Sequence, residues 1–407
     1  MAILKFNGVG ITAMAGAVPS HIIDNLKYTE FFPEEQVKEV VDKVGVYERR
    51  FADEKTCSSD LCFAAAQKLI LDNDINRDEI DLLIFISQTQ DYRMPATACT
   101  LQHRLGLNKS CIAFDVNLGC SAFIYGMSIA FSMAQNGGIR KALILDGETR
   151  SKVYGPRDRR SAFIFGDGGV AALVEKNEKF GDTTLSLNTD GARADLIMIK
   201  AGGYRHPSTP ETLKERVVDE YGNMRSEEQG YMKGGDVFNF VIREIPRDIK
   251  KTLAEAGKTV DDLDYILIHQ ANNFINSFIA KKMKLDTTKI PHTIEKFGNT
   301  SSVSVPLTLV SELKGKLDGD KTLLMTAFGV GMTWATAVAS FVNTKISDIV
   351  EVENGQPVDE SLCREYTPIE GESEESVSRP NVPPLLGGGK PLIINILSGN
   401  INNYKAA

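Results

Sequence analysis

Residues 71–84 read LDNDINRDEIDLLI, and residues 254–267 read AEAGKTVDDLDYIL. Each is the end of a helix, a short polar turn, and an acidic residue leading into an apolar strand, with Asp81 matching Asp264. The correspondence runs on downstream. Cys111–Cys120 (CIAFDVNLGC) pairs with Ile290–Asn299 (IPHTIEKFGN), so that Gly119 falls opposite Gly298 and Cys120 opposite Asn299. Lys141–Leu145 (KALIL) then pairs with Lys321–Met325 (KTLLM). Three blocks in the same order at nearly constant offset identify an internal duplication.

Each half alternates strands and helices. Leu82–Ile86, Ile112–Val116 and Ala142–Leu145 are apolar runs of buried-strand length. Between them Ser121–Gln135 is mostly apolar and runs out at Gly137-Gly138, a helix stop. Such alternation predicts an α/β protein. Helices apolar on most faces must be covered on both sides, so they are expected between two sheets. The repeat sets the expected organisation: one half over 1–178, a second over 179–343, and a tail over 344–407. The tail carries ten Asp/Glu against five Lys/Arg from Lys345 onward, with EGESEES at 370–376 and Gly387-Gly388-Gly389. Such composition buries too little surface to offset chain entropy, and a largely disordered tail is expected.

The chain has 407 residues and a net charge of −8, which argues against nonspecific nucleic-acid binding. No run of 18 apolar residues occurs, so no membrane span is expected, and neither is a secretory leader. The expected location is the cytoplasm. None of the six cysteines forms a C-x-x-C pair or has a His at metal-ligand spacing, so no metal site is expected.

The duplication puts Cys120 and Asn299 at equivalent strand-to-helix turns, each after a Gly and before small residues. A Gly there permits an unusual backbone angle. A thiol at a helix N-terminus is expected to have a lowered pKa. On pattern alone Cys120 is either such a nucleophile or a buried structural thiol. His269 ends the second-half strand Tyr265–Ile268, where ligands of α/β sheets gather, and is either catalytic or a satisfied structural His.

The strings NLGCSAF, IHQAN, KFGNTSSVSVP, IFGDGG and FGVGMTW together resemble the β-ketoacyl-acyl carrier protein synthase III family of the thiolase superfamily, over about residues 5–342. The resemblance implies a thiolase-like five-layered α-β-α-β-α fold built from two duplicated halves. It also implies a catalytic triad of Cys120, His269 and Asn299. Cys120 would take an acyl group from a thioester. Its backbone N–H, with one from the loop Gly329-Val330-Gly331, would bind the oxyanion. His269 and Asn299 would hold the malonyl-carrier carbonyl while CO2 leaves, and the enolate would attack the acyl group. No bound cofactor is implied; acyl-CoA or acyl-ACP and malonyl-ACP are the substrates, acyl carrier protein the partner, and a homodimer the assembly. Asn272 and Arg159 are implied to contact substrate and Lys281 and Lys282 to dock the carrier, while Met94 stands where the family often places a Phe that limits acyl length across the dimer interface, so that a longer or branched starter is expected.

The chain departs from the family at several positions. Glu39 and Lys43 stand where a Trp and an Arg clamp the coenzyme A adenine, which shifts the expected donor toward a carrier-bound acyl group. Phe274 stands where a carrier-docking Arg is expected, and Val330 replaces the middle glycine of the pocket loop, so its N–H is usable only if φ there suits a β-branched residue. Two other readings remain at this level. One is an acyltransferase that passes the Cys120-bound acyl group to an alcohol or amine with His269 as base. The other is a non-catalytic partner subunit.

Overall fold

A computed structural model describes residues 2–135 and 137–353. The strands that build the two main sheets are β1 (Ala2–Phe6), β2 (Val9–Pro19), β3 (Ile80–Ile86), β4 (Ile112–Val116), β5 (Lys141–Thr149) and β6 (Asp167–Lys176), followed by β7 (Thr183–Thr189), β8 (Tyr265–Ile268), β9 (Asp320–Gly329), β10 (Thr333–Val342), β11 (Lys345–Ile346) and β12 (Val350–Val352). The first sheet runs β11-β2-β6-β5-β3-β4, with β12 also on β2, and the second runs β1-β7-β10-β9-β8. Their cores match strand for strand. In each a parallel pair, β3 with β5 or β8 with β9, is extended by two antiparallel neighbours. This is the duplication seen in the sequence.

The helices used below are α1 (Ser58–Asp72), α2 (Thr97–Arg104), α3 (Ala122–Gln135), α4 (Gly234–Glu255), α5 (Asn273–Met283) and α6 (Ser304–Glu312). The period-2 alternation of the strands shows how five layers arise. Along β3, Leu82, Ile84 and Ile86 join the central core, whereas Leu83 and Phe85 face a second core with Leu61, Phe63 and Leu69 of α1 and Leu101 of α2. Along β9, Leu323 and Met325 join the central core, and Leu324 and Phe328 face Phe240 and Ile249 of α4 and Ile279 of α5. Phe123, Met127 and Phe131 of α3 and Val305, Leu307 and Leu309 of α6 fill the central layer. The order α1/α2, sheet, α3/α6, sheet, α4/α5 is the five-layered α-β-α-β-α arrangement.

Three expectations need adjusting. The two halves exchange strands: β1 pairs antiparallel with β7 of the second half, and β11 and β12 pair with β2 of the first. The boundaries at 178 and 343 therefore mark a repeat and not two separate sheets. The segment expected to open the tail at 344 is ordered through Val352, because β2 offers it a free edge whose ladder groups need partners. The remainder of the tail expectation lies outside the described residues. Lastly, Ile290–Asn299 aligns with a strand but contains the short helix Ile294–Phe297, so β4 has no counterpart in the second sheet among the described residues. Pro291 in that stretch lacks a ladder donor. Among the described residues no helix is long and apolar enough to cross a membrane.

Candidate active site

The site lies where β4, β8 and β9 end. Cys120 follows β4 and stands two residues before α3, His269 follows β8, and the loop after β9 closes over both. Asn299 is carried by a turn pinned to Phe165 and its neighbours: its N–H donates to Ile164 O (2.8 Å), and the Gly166 N–H donates to its carbonyl (3.2 Å). A Cβ on Gly166 would stand 2.2 Å from Phe297 O, which explains the first glycine of IFGDGG. Gly298 has φ 64°, as the expected glycine turn requires, but Gly119 does not adopt positive φ. Gly119 instead permits close approach, since a Cβ there would meet Val330 Cβ at 2.9 Å.

Cys120, His269, Asn299, Gly329 and Val330 line one partly open cavity of about 80 Å³, together with Arg150, Tyr154 and Phe328. It shares Ile164, Met232, Gly234, Asn272 and Ile275 with an open cleft of about 790 Å³ lined by Lys43, Arg159 and Arg160. A large cleft leading to a small buried end fits an elongated ligand whose reactive end lies innermost.

His269 Nδ1 is 2.6 Å from Ser304 Oγ, and Ser304 Oγ accepts the Gln270 N–H (3.3 Å). The serine hydroxyl can donate its hydrogen to Nδ1, and in that arrangement Nε2 carries the ring proton as an N–H donor for the cavity. Burial, helped by the Arg150 charge, lowers the His269 pKa to about 3. The ring is therefore a neutral donor. Asn299 Oδ1 accepts the Ser301 N–H (2.9 Å) and its amide nitrogen donates to Ala271 O (3.5 Å), which leaves the second amide hydrogen as a donor.

The lowered thiol pKa expected for Cys120 is not what the structure gives. Full burial raises it, against the opposing pull of Arg150, the Ser301 hydroxyl and the Val330 backbone. Val330 lies outside the positive-φ region that Gly331 occupies (φ 133°), so a β-branched residue is accommodated in the pocket loop. Gly331 itself does not line the cavity.

The remaining expected residues are spread out. Arg159 lines the cleft and donates to Gln36 Oε1 (3.0 Å). Asn272 lines both cavity and cleft while its side chain caps α5 by accepting the Ile275 N–H (2.8 Å). Lys281 and Lys282 stand in the last turn of α5, away from the cleft lining, with Lys282 Nζ on Ile242 O (2.5 Å). Met94 is 77% exposed and outside the cavity lining. Phe274 is 56% exposed at the cleft, its ring 5.2 Å from that of Phe238. Sequence reading missed Arg150, Ser301 and Ser304. Among the described residues no group of His, Cys, Asp and Glu could hold a metal ion.

Two predictions arise here. An unfolded chain protonates His269 near pH 6.5, whereas the folded ring resists until about 3. Stability from this group is complete above about 6.5 and falls by about 1.4 kcal/mol per pH unit as the pH drops toward 3. Between pH 7 and 5, His269→Asn should therefore lose about 2 kcal/mol less than wild type, read from urea midpoints. Secondly, a Cβ on Gly329 would stand 2.5 Å from Cys120 Sγ. Gly329→Ala is expected to cost about 1–3 kcal/mol and to change the rate at which iodoacetamide alkylates Cys120, measured by thermal melting and by mass. Wild-type stability together with a wild-type alkylation rate would refute the contact.

A five-layered duplicated α/β fold with Cys, His and Asn meeting at the strand ends defines a thiolase-like enzyme of the acyltransferase class. Residues 114–191 match the family model for 3-oxoacyl-[acyl-carrier-protein (ACP)] synthase III, and residues 253–341 match the model for its C-terminal part. The chain is 32% identical over 335 residues to the β-ketoacyl-[acyl-carrier-protein] synthase III of Desulfitobacterium hafniense, covering 82% of this chain and 98% of that one. Among solved structures it is similar to a 3-oxoacyl-(acyl-carrier protein) synthase from Burkholderia xenovorans (36% identity, TM-score 0.81, 86% of this chain and 99% of that one). It is also similar to the synthase III of Thermus thermophilus (30% identity, TM-score 0.71, 81% and 98%). The chain belongs to the β-ketoacyl-acyl carrier protein synthase III family.

Proposed function

We propose that this chain catalyses a decarboxylative Claisen condensation between an acyl thioester and malonyl-ACP through an acyl-Cys120 intermediate, giving β-ketoacyl-ACP. The observation that carries the reading is the meeting of one thiol, Cys120, with two neutral donors, His269 and Asn299, in a single buried cavity. The Cys120 sulfur attacks the thioester carbonyl and the donor thiol leaves. The N–H groups of Cys120 and of the Gly329-Val330-Gly331 loop stabilise the oxyanion. Malonyl-ACP then enters, and His269 Nε2–H and the Asn299 amide stabilise the enolate formed as CO2 departs. The enolate carbon attacks the acyl carbonyl, and the Cys120 thiolate is released.

Four cations, Lys43, Arg159, Arg160 and Lys233, line the cleft that leads inward, with Asp236 as the one acidic residue among them. They support an anionic phosphopantetheine arm on its way to Cys120, whether the first acyl donor is acyl-ACP or acyl-CoA. Lys281 and Lys282 would steer the acidic carrier from further out. Met94 acts on chain length in this reading only in a homodimer, given its exposure in the single chain. The condensation uses the His269 tautomer with its proton on Nε2, whereas acyl transfer to an alcohol with His269 as base would need the proton on Nδ1.

Incubation with acetyl-CoA and with acyl carriers of several lengths, followed by intact-mass measurement, tests the reading. A covalent adduct on Cys120 and CO2 release from malonyl-ACP are expected. Adduct formation without CO2 release would favour the acyltransferase reading, and neither would remove both.

A further inference from the structure

Arg150 directly follows β5, and its guanidinium is buried in the wall of the Cys120 cavity. The reaction steps above give it no task. A buried cation is costly unless paired, and the pairing here is one-sided. Glu148 Oε2 lies 3.7 Å from Arg150 Nε, which makes no hydrogen bond. The Glu148 carboxylate is itself held by the Gln88 N–H (3.1 Å) and the Thr89 hydroxyl (2.8 Å). The other end of the guanidinium points toward the nucleophile: Nη2 donates to Gln88 Oε1 (2.8 Å) and to Ser301 Oγ (2.8 Å).

Ser301 Oγ thus accepts from Arg150, and its other partner is Cys120 Sγ at 3.7 Å, toward which its own hydrogen is free to turn. Both relay members are held in place. Ser301 has φ 57°, a left-handed conformation that Ser rarely adopts, fixed by its N–H on Asn299 Oδ1. The Arg150 backbone is fixed through Ser151, whose N–H and hydroxyl both donate to the buried Asp167 carboxylate (2.8 and 2.5 Å).

We propose that Arg150, acting through the Ser301 hydroxyl, stabilises Cys120 as the thiolate and is thereby a positioning residue for the nucleophile. This rests on the proposed role of Cys120. The other groups around the sulfur do not supply the charge. His269 is held neutral by burial and bonds Ser304 instead. Burial pushes Asp146 and Tyr154 up toward their neutral forms, and Glu148 opposes the thiolate. The α3 N-terminus and the Val330 backbone favour the anion, yet the thiol remains raised.

The test is the pH dependence of Cys120 alkylation by iodoacetamide in the full-length protein, scored on the Cys120 peptide by mass. Wild type is compared with Arg150→Leu, Arg150→Lys and Ser301→Gly. Arg150→Leu should titrate about one pH unit higher, with alkylation about tenfold slower at pH 7. Arg150→Lys should fall between it and wild type. Ser301→Gly accepts φ 57° without strain and removes the bridging hydroxyl, so it should shift the same way. If Arg150→Leu does not fold, Ser301→Gly decides alone. Profiles that coincide with wild type overturn the relay. Because alkylation needs no acyl donor, a wild-type protein that takes no acyl group would sink the proposed function through a separate measurement.

Discussion

Cys120→Ala should form no acyl adduct with any donor, and condensation should fall by about 10⁴-fold or more, the scale seen when a covalent nucleophile is removed. The variant should fold, because the side chain loses only a sulfur atom from a cavity that already contains space. A more specific result is expected alongside. His269 and Asn299 reach their places through Ser304, Ser301 and the Asn299 turn, and none of those hydrogen bonds depends on the thiol. Release of CO2 from malonyl-ACP should therefore continue in Cys120→Ala while product formation stops. An adduct in this variant would place the nucleophile elsewhere among the cysteines; Cys57, Cys62 and Cys111 are not among the residues lining the cavity.

His269→Ala should give the reciprocal pattern. The acyl adduct should still form, because His269 is not bonded to the sulfur and is held as a neutral donor. Decarboxylation and condensation should fall together by about 10²–10³-fold, the usual effect of losing one donor to a developing oxyanion. Asn299→Ala should follow in direction, with an additional loss of stability because Asn299 Oδ1 holds the strained Ser301. The assays are intact mass for the adduct and CO2 release for the second half-reaction. If His269→Ala lost the adduct and kept decarboxylation, the assignment of the two half-reactions would have to be reversed.

The sequence by itself determined the duplication, the α/β class and the layering, because apolar periodicity is local and survives in the folded chain. Ile112–Val116 and Tyr265–Ile268 are strands at the expected residues, and the central helix differs from its expected start by one residue. The motif strings also brought Cys120, His269 and Asn299 together as candidates, although only Cys120 and His269 follow strands and Asn299 follows a short helix. What lay beyond its reach depends on partners distant along the chain. The exchange of β1 and of Lys345–Val352 between the halves is a choice of sheet edge, and no local pattern states which edge is open. Arg150 reads as an ordinary charged residue after a strand; only packing buries it beside Ser301, 151 positions away. The same holds for the Cys120 thiol. A helix N-terminus is legible and lowers a thiol pKa, but full burial raises it, and the sign is decided by the tertiary structure, because desolvation depends on everything that surrounds the sulfur.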